Sequence, residues 1–282
     1  MGRGNHVVEL GRFGVFRRYS ALSPELAASL ERLGYGAIWV GGSPGDLRRM
    51  EELLDATSAI AVATGVLNIW QDGPREVAAS YHRIEERHPG RLLLGIGVGH
   101  PEATRAQYTK PYAALVDYLD ELDAAEVPVQ RRVLAALGPR VLKLSAEHAA
   151  GAHPYLVTPE HTRRARSILG PGPLLAPEQK VVLEADPARA RAISRPAVKP
   201  YLGLVNYTSN LRTLGFGDDD LAGSGSDRLI DALFIHGDNA AVTAGLAAHL
   251  DAGADHVAVN LITAQGDDPV AGFTTLAAAL PL

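Results

Sequence analysis

An alternation of short apolar segments with amphipathic ones runs along the whole 282-residue chain and constrains its fold more than any other feature. Segments such as "IAVATGVL" (60–67) are apolar on both faces, which is typical of parallel strands covered by helices. The segments between them carry apolar residues at helical spacing, and some begin with a cap and a proline, as at Ser23 and Pro24. The pattern predicts about eight β-strands, each followed by helix, at residues 12–17, 35–42, 60–68, 91–97, 131–137, 152–158, 177–185 and 254–262.

Eight strand–helix units favour an α/β fold, a (β/α)8 TIM barrel formed as one domain by residues 1–282, because such barrels typically have about 250 residues. A doubly wound open sheet is the alternative. The barrel is preferred because the strands are evenly spread and no linker marks a second domain. Residues 203–237 are predicted to form an irregular, partly helical insertion before the last strand. In a barrel, the functional residues are expected at the C-terminal ends of the strands.

Composition narrows the classes of function. The net charge is −5, so no basic surface for nucleic acid is expected. The chain has no cysteine, which excludes disulfides, thiolate chemistry and iron–sulfur ligation. No apolar run predicts a signal peptide or a membrane span, so we expect a cytoplasmic protein without a membrane partner. The histidines lack the spacing of a zinc site, and no metal is predicted.

The stretch "RLLLGIGVGHPEA" (91–103) ends a predicted strand with glycines at alternate positions. Such glycines let another backbone or a flat ligand approach closely. The G-x-G-x-G spacing differs from the G-x-G-x-x-G of dinucleotide-binding folds, and no acidic residue ends a following strand at the expected distance. Packing is favoured for Gly95, whereas a ligand is favoured for Gly97 and Gly99, which we place beyond the strand end.

Three segments together resemble the luciferase-like flavin and deazaflavin oxidoreductases, namely "IAVATGVLNI" (60–69), "HPGRLLLGIGVGHPE" (88–102) and the segment 132–166. Within that superfamily the chain is most similar to the coenzyme F420-dependent branch. The resemblance implies the same barrel and an enzyme that transfers a hydride between a deazaflavin and a small organic substrate. An FMN-dependent monooxygenase of this fold and a non-catalytic flavin- or deazaflavin-binding protein are the alternatives. The resemblance also implies a homodimer, to which the helix at 46–60 could contribute.

The resemblance further implies where the cofactor binds. A bulge after the third strand, often with a non-prolyl cis peptide, would support the ring at Gly65 and Val66, and Asn68 would bond to the cofactor or serve as a turn residue. Backbone without obstructing side chains would pass beside the ring at Gly97, Val98 and Gly99. Backbone amides would bind the phosphate around Ser145, Ala146, Glu147, Gly151 and Ala152.

His100 follows the glycine strand and is the candidate general acid or base, since relatives with sugar-phosphate substrates carry a carboxylate at the matching place. A loop histidine that caps backbone is the alternative. Several deazaflavin dehydrogenases have Asp-His at the end of the second strand, where this chain has Gly42 and Ser43. That departure puts alcohol and sugar-phosphate oxidation in doubt, while Gly42 and Ser43 could still contact the cofactor.

The remaining candidates belong to the substrate pocket. Side chains at strand ends and loops could form its walls, and Arg17 and Arg18 could bind an anionic substrate or simply face solvent. The pocket residues assigned are Phe16, Arg17, Trp70, Tyr108 and His153, of which the last also suits a structural role. Substrate identity depends chiefly on the loops at 101–112, 184–227 and 263–270.

Overall fold

A computed structural model of the chain describes residues 8–102, 108–264 and 268–282. Within these ranges the strands are Phe13–Arg18 (β1), Ala37–Gly41 (β2), Ala61–Thr64 (β3), Leu67–Asn68 (β4), Leu92–Gly97 (β5), Arg132–Leu134 (β6), Gly151–Ala152 (β7), Leu174–Leu175 (β8), Glu178–Val182 (β9), Phe234–His236 (β10) and Val257–Leu261 (β11). The α-helices are Pro24–Arg32 (α1), Arg48–Asp55 (α2), Pro74–Arg87 (α3), Pro111–Ala124 (α4), Pro139–His148 (α5), Pro159–Leu169 (α6), Pro187–Val198 (α7), Val205–Thr213 (α8), Asp218–Leu221 (α9), Asp227–Leu233 (α10), Asn239–Asp251 (α11) and Pro269–Ala277 (α12).

All the strand pairs are parallel, and the sheet closes into a barrel. β3 and β4 form one barrel strand interrupted at Gly65 and Val66, and β8 and β9 form another interrupted at Ala176 and Pro177. This second segment bonds to β7 through β8 and to β11 through β9. Because β11 pairs with β1 and β1 with β2, the ladder returns to its start. Counting each interrupted strand once and setting β10 aside leaves eight strands around the barrel, which confirms the predicted fold class.

Alternate residues of the strands face two separate apolar layers. On β2, Ile38 and Val40 pack in the layer between the sheet and the helices. Ala37 and Trp39 point to the inside of the barrel, where they join Phe16. Both faces of these strands are buried, which explains why the sequence reads as continuous apolar runs. Trp39 is fully buried inside the barrel.

Several helices begin as the sequence indicates. Ser23 accepts a hydrogen bond from the amide of Leu26 at 3.3 Å, and Pro24 occupies the first turn of α1. Pro196 is predicted to break its helix, but α7 continues through it to Val198. Because this proline lies in the last turn, it removes one hydrogen bond near an end that would fray in any case.

The predicted strand at 152–158 is too long, since β7 ends at Ala152. Residues 203–237 are more ordered than predicted, because they contain α8, α9, α10 and the short strand β10. Each of these elements is brief and buries apolar residues against its neighbours, such as Leu211, Leu229 and Phe234. Elements this short carry too few turns for a clear periodicity in the sequence.

Candidate active site

A cavity of about 1010 Å³ opens at the C-terminal ends of the barrel strands. Its wall includes residues from β1, β2, β4, β9 and β11, together with residues of the segment from α7 to α8. Ten of the residues predicted for the site line it, namely Phe16, Arg17, Gly42, Ser43, Gly65, Val66, Asn68, Gly99, His100 and His153. They meet because parallel strands bring their C-terminal ends to the same mouth of the barrel.

Backbone forms the wall of the cavity where β2 and β3 end. The peptide bond between Gly65 and Val66 is cis, at the position where the resemblance implies such a bond. A Cβ atom on Gly65, or on Gly41 of β2, would lie 2.8 Å from the ring of Phe16, so both glycines leave room for that ring. Gly42 has φ +75°, and a Cβ there would meet nothing within 4 Å. The cavity therefore has an unobstructed strip of main chain beside Gly42.

Gly97 ends β5 and does not lie beyond it as predicted, whereas Gly99 follows the strand. A Cβ on Gly97 would lie 2.9 Å from Val66 and 3.0 Å from Ala135, so close packing of strands accounts for this glycine. Gly97 and Val98 are not among the residues that line the cavity. Gly99 lines the cavity with φ +61°, and a Cβ atom there would lie 2.7 Å from the side-chain nitrogen of Asn68. Of the three backbone positions assigned to the ring, only Gly99 reaches the cavity.

Asp72 holds the loops after β2 and β4 together, a role that the sequence does not reveal. Its carboxylate accepts hydrogen bonds from the amides of Gly45 and Asn68, at 2.8 Å and 2.9 Å. The Asn68 side chain accepts from the amide of Trp70 at 3.1 Å, as a turn residue does. Ser43 donates to the carbonyl of Val40 at 2.7 Å, so its hydroxyl serves the local fold.

His100 is half-buried at the cavity, and a helix of the insertion holds its ring. Its Nδ1 lies 3.1 Å from Oδ1 of Asn206, and the ring centroid lies 5.3 Å from that of Tyr207. Both partners belong to α8. Because an amide oxygen accepts hydrogen bonds, this geometry places a proton on Nδ1 of His100.

His153 lies on the floor of the cavity in a stack of aromatic rings. Its ring lies 4.0 Å from Trp39, nearly parallel to it. Nδ1 donates to the carbonyl of Ala176 at 2.6 Å, while the buried Nε2 has no partner among the described residues. Burial lowers the pKa of His153 to about 4. The imidazole is therefore neutral, which favours structural support over proton transfer near neutral pH.

A buried ion pair in the cavity wall was not predicted. Glu178 and Lys180 are 1% and 2% exposed, and Nζ of Lys180 donates to both carboxylate oxygens at 2.8 Å and 3.0 Å. Asn260 also donates to Glu178 at 2.7 Å. The two charged residues alternate along β9, so both point into the barrel. Charges at alternate positions of a strand whose other residues include Val181 and Val182 were the signal that could have revealed this pair.

Three tyrosines complete the wall, and they too were not predicted. Tyr155 follows β7, Tyr201 lies between α7 and α8, and Tyr207 lies in α8. The ring centroids of Tyr155 and Tyr201 are 5.3 Å apart, and those of Tyr201 and Tyr207 are 5.2 Å apart. Burial raises the pKa of Tyr155 and of Tyr207 well above the usual value, so both phenols stay protonated.

Other assigned residues lie away from the cavity. Ser145 is buried in α5, and its hydroxyl donates to Val141 at 2.8 Å. A Cβ on Gly151 would clash with the backbone of Leu174, so strand packing explains this glycine. Trp70 donates to the carbonyl of Val98 at 2.7 Å. The residues assigned to the site that do not line the cavity are Trp70, Gly97, Val98, Tyr108, Ser145, Ala146, Glu147, Gly151 and Ala152.

Two of the loops expected to determine substrate identity are only partly described. Residues 103–107 and 265–267 lie outside the described residues. In the part of the chain that the structure describes, no group of three or more His, Cys, Asp or Glu side chains could hold a metal ion. Within the same residues, no helix is long and apolar enough to cross a membrane.

Solved structures with the same fold cover almost the whole chain. An F420-dependent secondary alcohol dehydrogenase in complex with an F420–acetone adduct is 13% identical with a TM-score of 0.74, over 96% of this chain and 98% of that one. The coenzyme F420-dependent tetrahydromethanopterin reductase from Methanopyrus kandleri is 16% identical with a TM-score of 0.68, over 96% and 98%. The oxygenating constituent of 3,6-diketocamphane monooxygenase from Pseudomonas putida, in complex with FMN, is 13% identical with a TM-score of 0.69, over 95% and 96%.

At these identities the similarity establishes the fold, while the sequence itself establishes the family. No curated protein sequence matches the chain. The family model for luciferase-like monooxygenases matches residues 21–256, which are most of this chain. The barrel, the cavity at its C-terminal mouth and this match agree with one another. The chain therefore belongs to the luciferase-like monooxygenase family, whose structural neighbours include both F420-dependent and FMN-containing oxidoreductases.

Proposed function

We propose that the chain is a coenzyme F420-dependent oxidoreductase, which transfers a hydride between the deazaflavin and a small carbonyl-bearing or unsaturated substrate. The main-chain wall at Gly42 and at the cis peptide of Gly65 and Val66 supports this function most directly. A planar ring can lie against the backbone of Gly42, where a Cβ atom would meet nothing within 4 Å. The F420 assignment itself comes from the sequence resemblance.

The cavity fits such a group in size. About 1010 Å³ is at the upper end of the roughly 300–1,000 Å³ of small-molecule sites, so a ring and a second small molecule can be accommodated. Gly42, Gly65, Val66 and Asn68 would hold the ring, and Asp72 keeps their two loops in register. A bound deazaflavin supplies the hydride chemistry itself. The protein has to bind it, orient it, exclude water and move a proton.

His100 is the residue of this chain best placed to move that proton. Asn206 fixes the orientation of the His100 ring at the cavity, and an imidazole can exchange a proton near neutral pH. The end of β2 offers no competing base, because Gly42 has no side chain and the hydroxyl of Ser43 is bonded to Val40. Without a base at that position, His100 is left to move the proton in either direction of the hydride transfer.

An FMN-dependent monooxygenase is the second candidate, because an FMN-containing monooxygenase matches the same fold over 95% of this chain. A parallel titration of the protein with oxidised F420 and with FMN, followed by ligand fluorescence and co-elution, separates the two. Tight binding of F420 alone is expected. Preference for FMN would support the oxygen-using function instead, and binding of neither would contradict both.

His100→Ala tests catalysis separately from binding. We expect it to retain F420 and to lose turnover with a panel of enones and aldehydes in the presence of reduced F420. His82→Ala is the matched control, since His82 is an exposed histidine of α3 that bonds to the carbonyl of Ala125. Turnover at the wild-type rate by His100→Ala would refute its role. A wild type that binds F420 but turns over no substrate would favour a non-catalytic carrier. The homodimer and the cytoplasmic location stay predictions.

A further inference from the structure

The hydroxyl groups of Tyr155 and Tyr201 form a pair in the cavity wall. Their oxygens are 2.9 Å apart, so one hydroxyl donates a hydrogen bond to the other. Two hydroxyls carry two protons, and a single bond between them uses only one. Whichever tyrosine is the donor, the other keeps a proton that it can donate elsewhere. No group among the described residues accepts this second proton, and both side chains line the cavity.

Lys180 packs against the rings of this pair. Its ammonium lies 3.9 Å from the ring centroid of Tyr155 and 5.6 Å from that of Tyr201, which are cation–π distances. The ion pair with Glu178 fixes the ammonium in this place. Because burial raises the pKa of Tyr155, its hydroxyl keeps its proton at neutral pH.

The pair is also close to the main-chain wall assigned to the cofactor ring. Phe16 is the link, because its ring centroid lies 5.4 Å from that of Tyr155. The ring of Phe16 also lies 2.8 Å from the position that a Cβ atom on Gly65 would take. One aromatic ring therefore separates the hydroxyl pair from the cis peptide. A small molecule bonded to the pair would lie in the same cavity as the cofactor.

We propose that the Tyr155–Tyr201 pair is the substrate-recognition element of the cavity and donates a hydrogen bond to the carbonyl oxygen of the substrate. The inference rests on the proposed function and narrows its substrate class to aldehydes, ketones and enones. A hydrogen bond to that oxygen orients the substrate and draws electrons from the carbon that receives the hydride. The pair needs only one of its two protons for this purpose.

Because either hydroxyl can donate alone, the two single Tyr→Phe substitutions should have a different effect from the double substitution. Tyr155→Phe leaves Tyr201 with its own proton, and Tyr201→Phe leaves Tyr155 with its own. Each single variant can still donate, whereas the double variant cannot. Tyr112→Phe is the matched control, because Tyr112 lies on α4 and does not line the cavity. Phenylalanine keeps the aromatic packing in every case.

Acetophenone and α-methylstyrene are suitable probes, because they differ only in the replacement of the carbonyl oxygen by a methylene group. Their affinities are measured by calorimetry on the F420-loaded protein and on the cofactor-free protein. We expect the wild type to prefer acetophenone. The single variants should stay within about threefold of the wild type, while the double variant loses about tenfold, the value of one hydrogen bond. The affinity for α-methylstyrene should be the same in all variants.

The carbonyl stretch of bound acetophenone gives a second readout that a structural role would not change. It should move to lower frequency in the wild type and in Tyr112→Phe, and return to the unbonded value in the double variant. Equal wild-type affinity for the two probes, or an unchanged double variant, would overturn the inference. Failure to bind F420 would instead refute the proposed function, and the cofactor-free measurement would still decide whether the pair binds a carbonyl oxygen.

Discussion

The Glu178–Lys180 ion pair offers the sharpest test of how the cavity wall is held together. Glu178→Gln removes the negative charge and leaves the ammonium of Lys180 buried without it. The carboxylate accepts from Lys180 at 2.8 Å and 3.0 Å and from Asn260 at 2.7 Å, so the amide would also turn a donor towards donors. Breaking such a buried pair costs about 3–5 kcal/mol.

That loss is large against a total stability of about 5–15 kcal/mol. At about 2–4 °C for each kcal/mol, the melting temperature should fall by at least about 6 °C. Urea unfolding followed by circular dichroism measures the free energy directly. Glu160→Gln is the matched control, because Glu160 pairs with Arg163 and Arg164 on the surface and should cost less than about 1 kcal/mol.

The double variant Glu178→Gln/Lys180→Met separates charge from shape. Replacing both members of a buried pair is often close to neutral, so it should be more stable than Glu178→Gln alone. A single variant within about 1 kcal/mol of the wild type would refute the reasoning. A double variant no more stable than the single one would do the same, because the loss would then arise from packing.

Two further predictions concern stability in acid and the main-chain wall. Burial lowers the pKa of His153, His249 and His256 to about 4, so the unfolded state binds more protons below pH 6.5. As the pH falls from about 6.5 to 4, the free energy of unfolding should therefore decrease by up to about 1.4 kcal/mol per histidine for each pH unit. Urea unfolding at pH 7, 6 and 5 measures this decrease, and a constant free energy of unfolding would contradict the prediction. Gly65→Ala puts a Cβ atom 2.8 Å from the buried ring of Phe16, so it should lower the free energy of unfolding by about 1–3 kcal/mol and weaken F420 binding. Gly73→Ala is the control, because a Cβ atom there meets nothing within 4 Å, and it should change neither quantity.

The sequence predicts the barrel well because its strands are buried on both faces. Runs such as 60–68 and 91–97 need no tertiary information to be recognised as strands. The insertion is harder, because α9 and β10 are only four and three residues long and depend on contacts with the rest of the barrel. Short elements of this kind have weak local signals, and tertiary packing decides their structure.

The residues of the candidate site also differ in how well the sequence predicts them. Gly42, Gly65 and His100 follow strands, so barrel geometry brings them to one cavity. Tyr201 and Tyr207 come from the end of α7 onwards, far in sequence from any strand end, and only the folded chain shows that they reach the same wall. Gly97 shows that a glycine at a strand end can make room for neighbouring side chains as well as for a ligand.

The central claim is that a flavin or deazaflavin ring binds against the main chain at Gly65 and Val66. A crystal structure of the protein with bound F420 tests it most directly. We expect the ring in van der Waals contact with that cis peptide, with Gly42 beside it and His100 and Tyr201 on the walls of the same cavity. A ring bound elsewhere on the barrel, with the cavity filled only by water, would contradict the account.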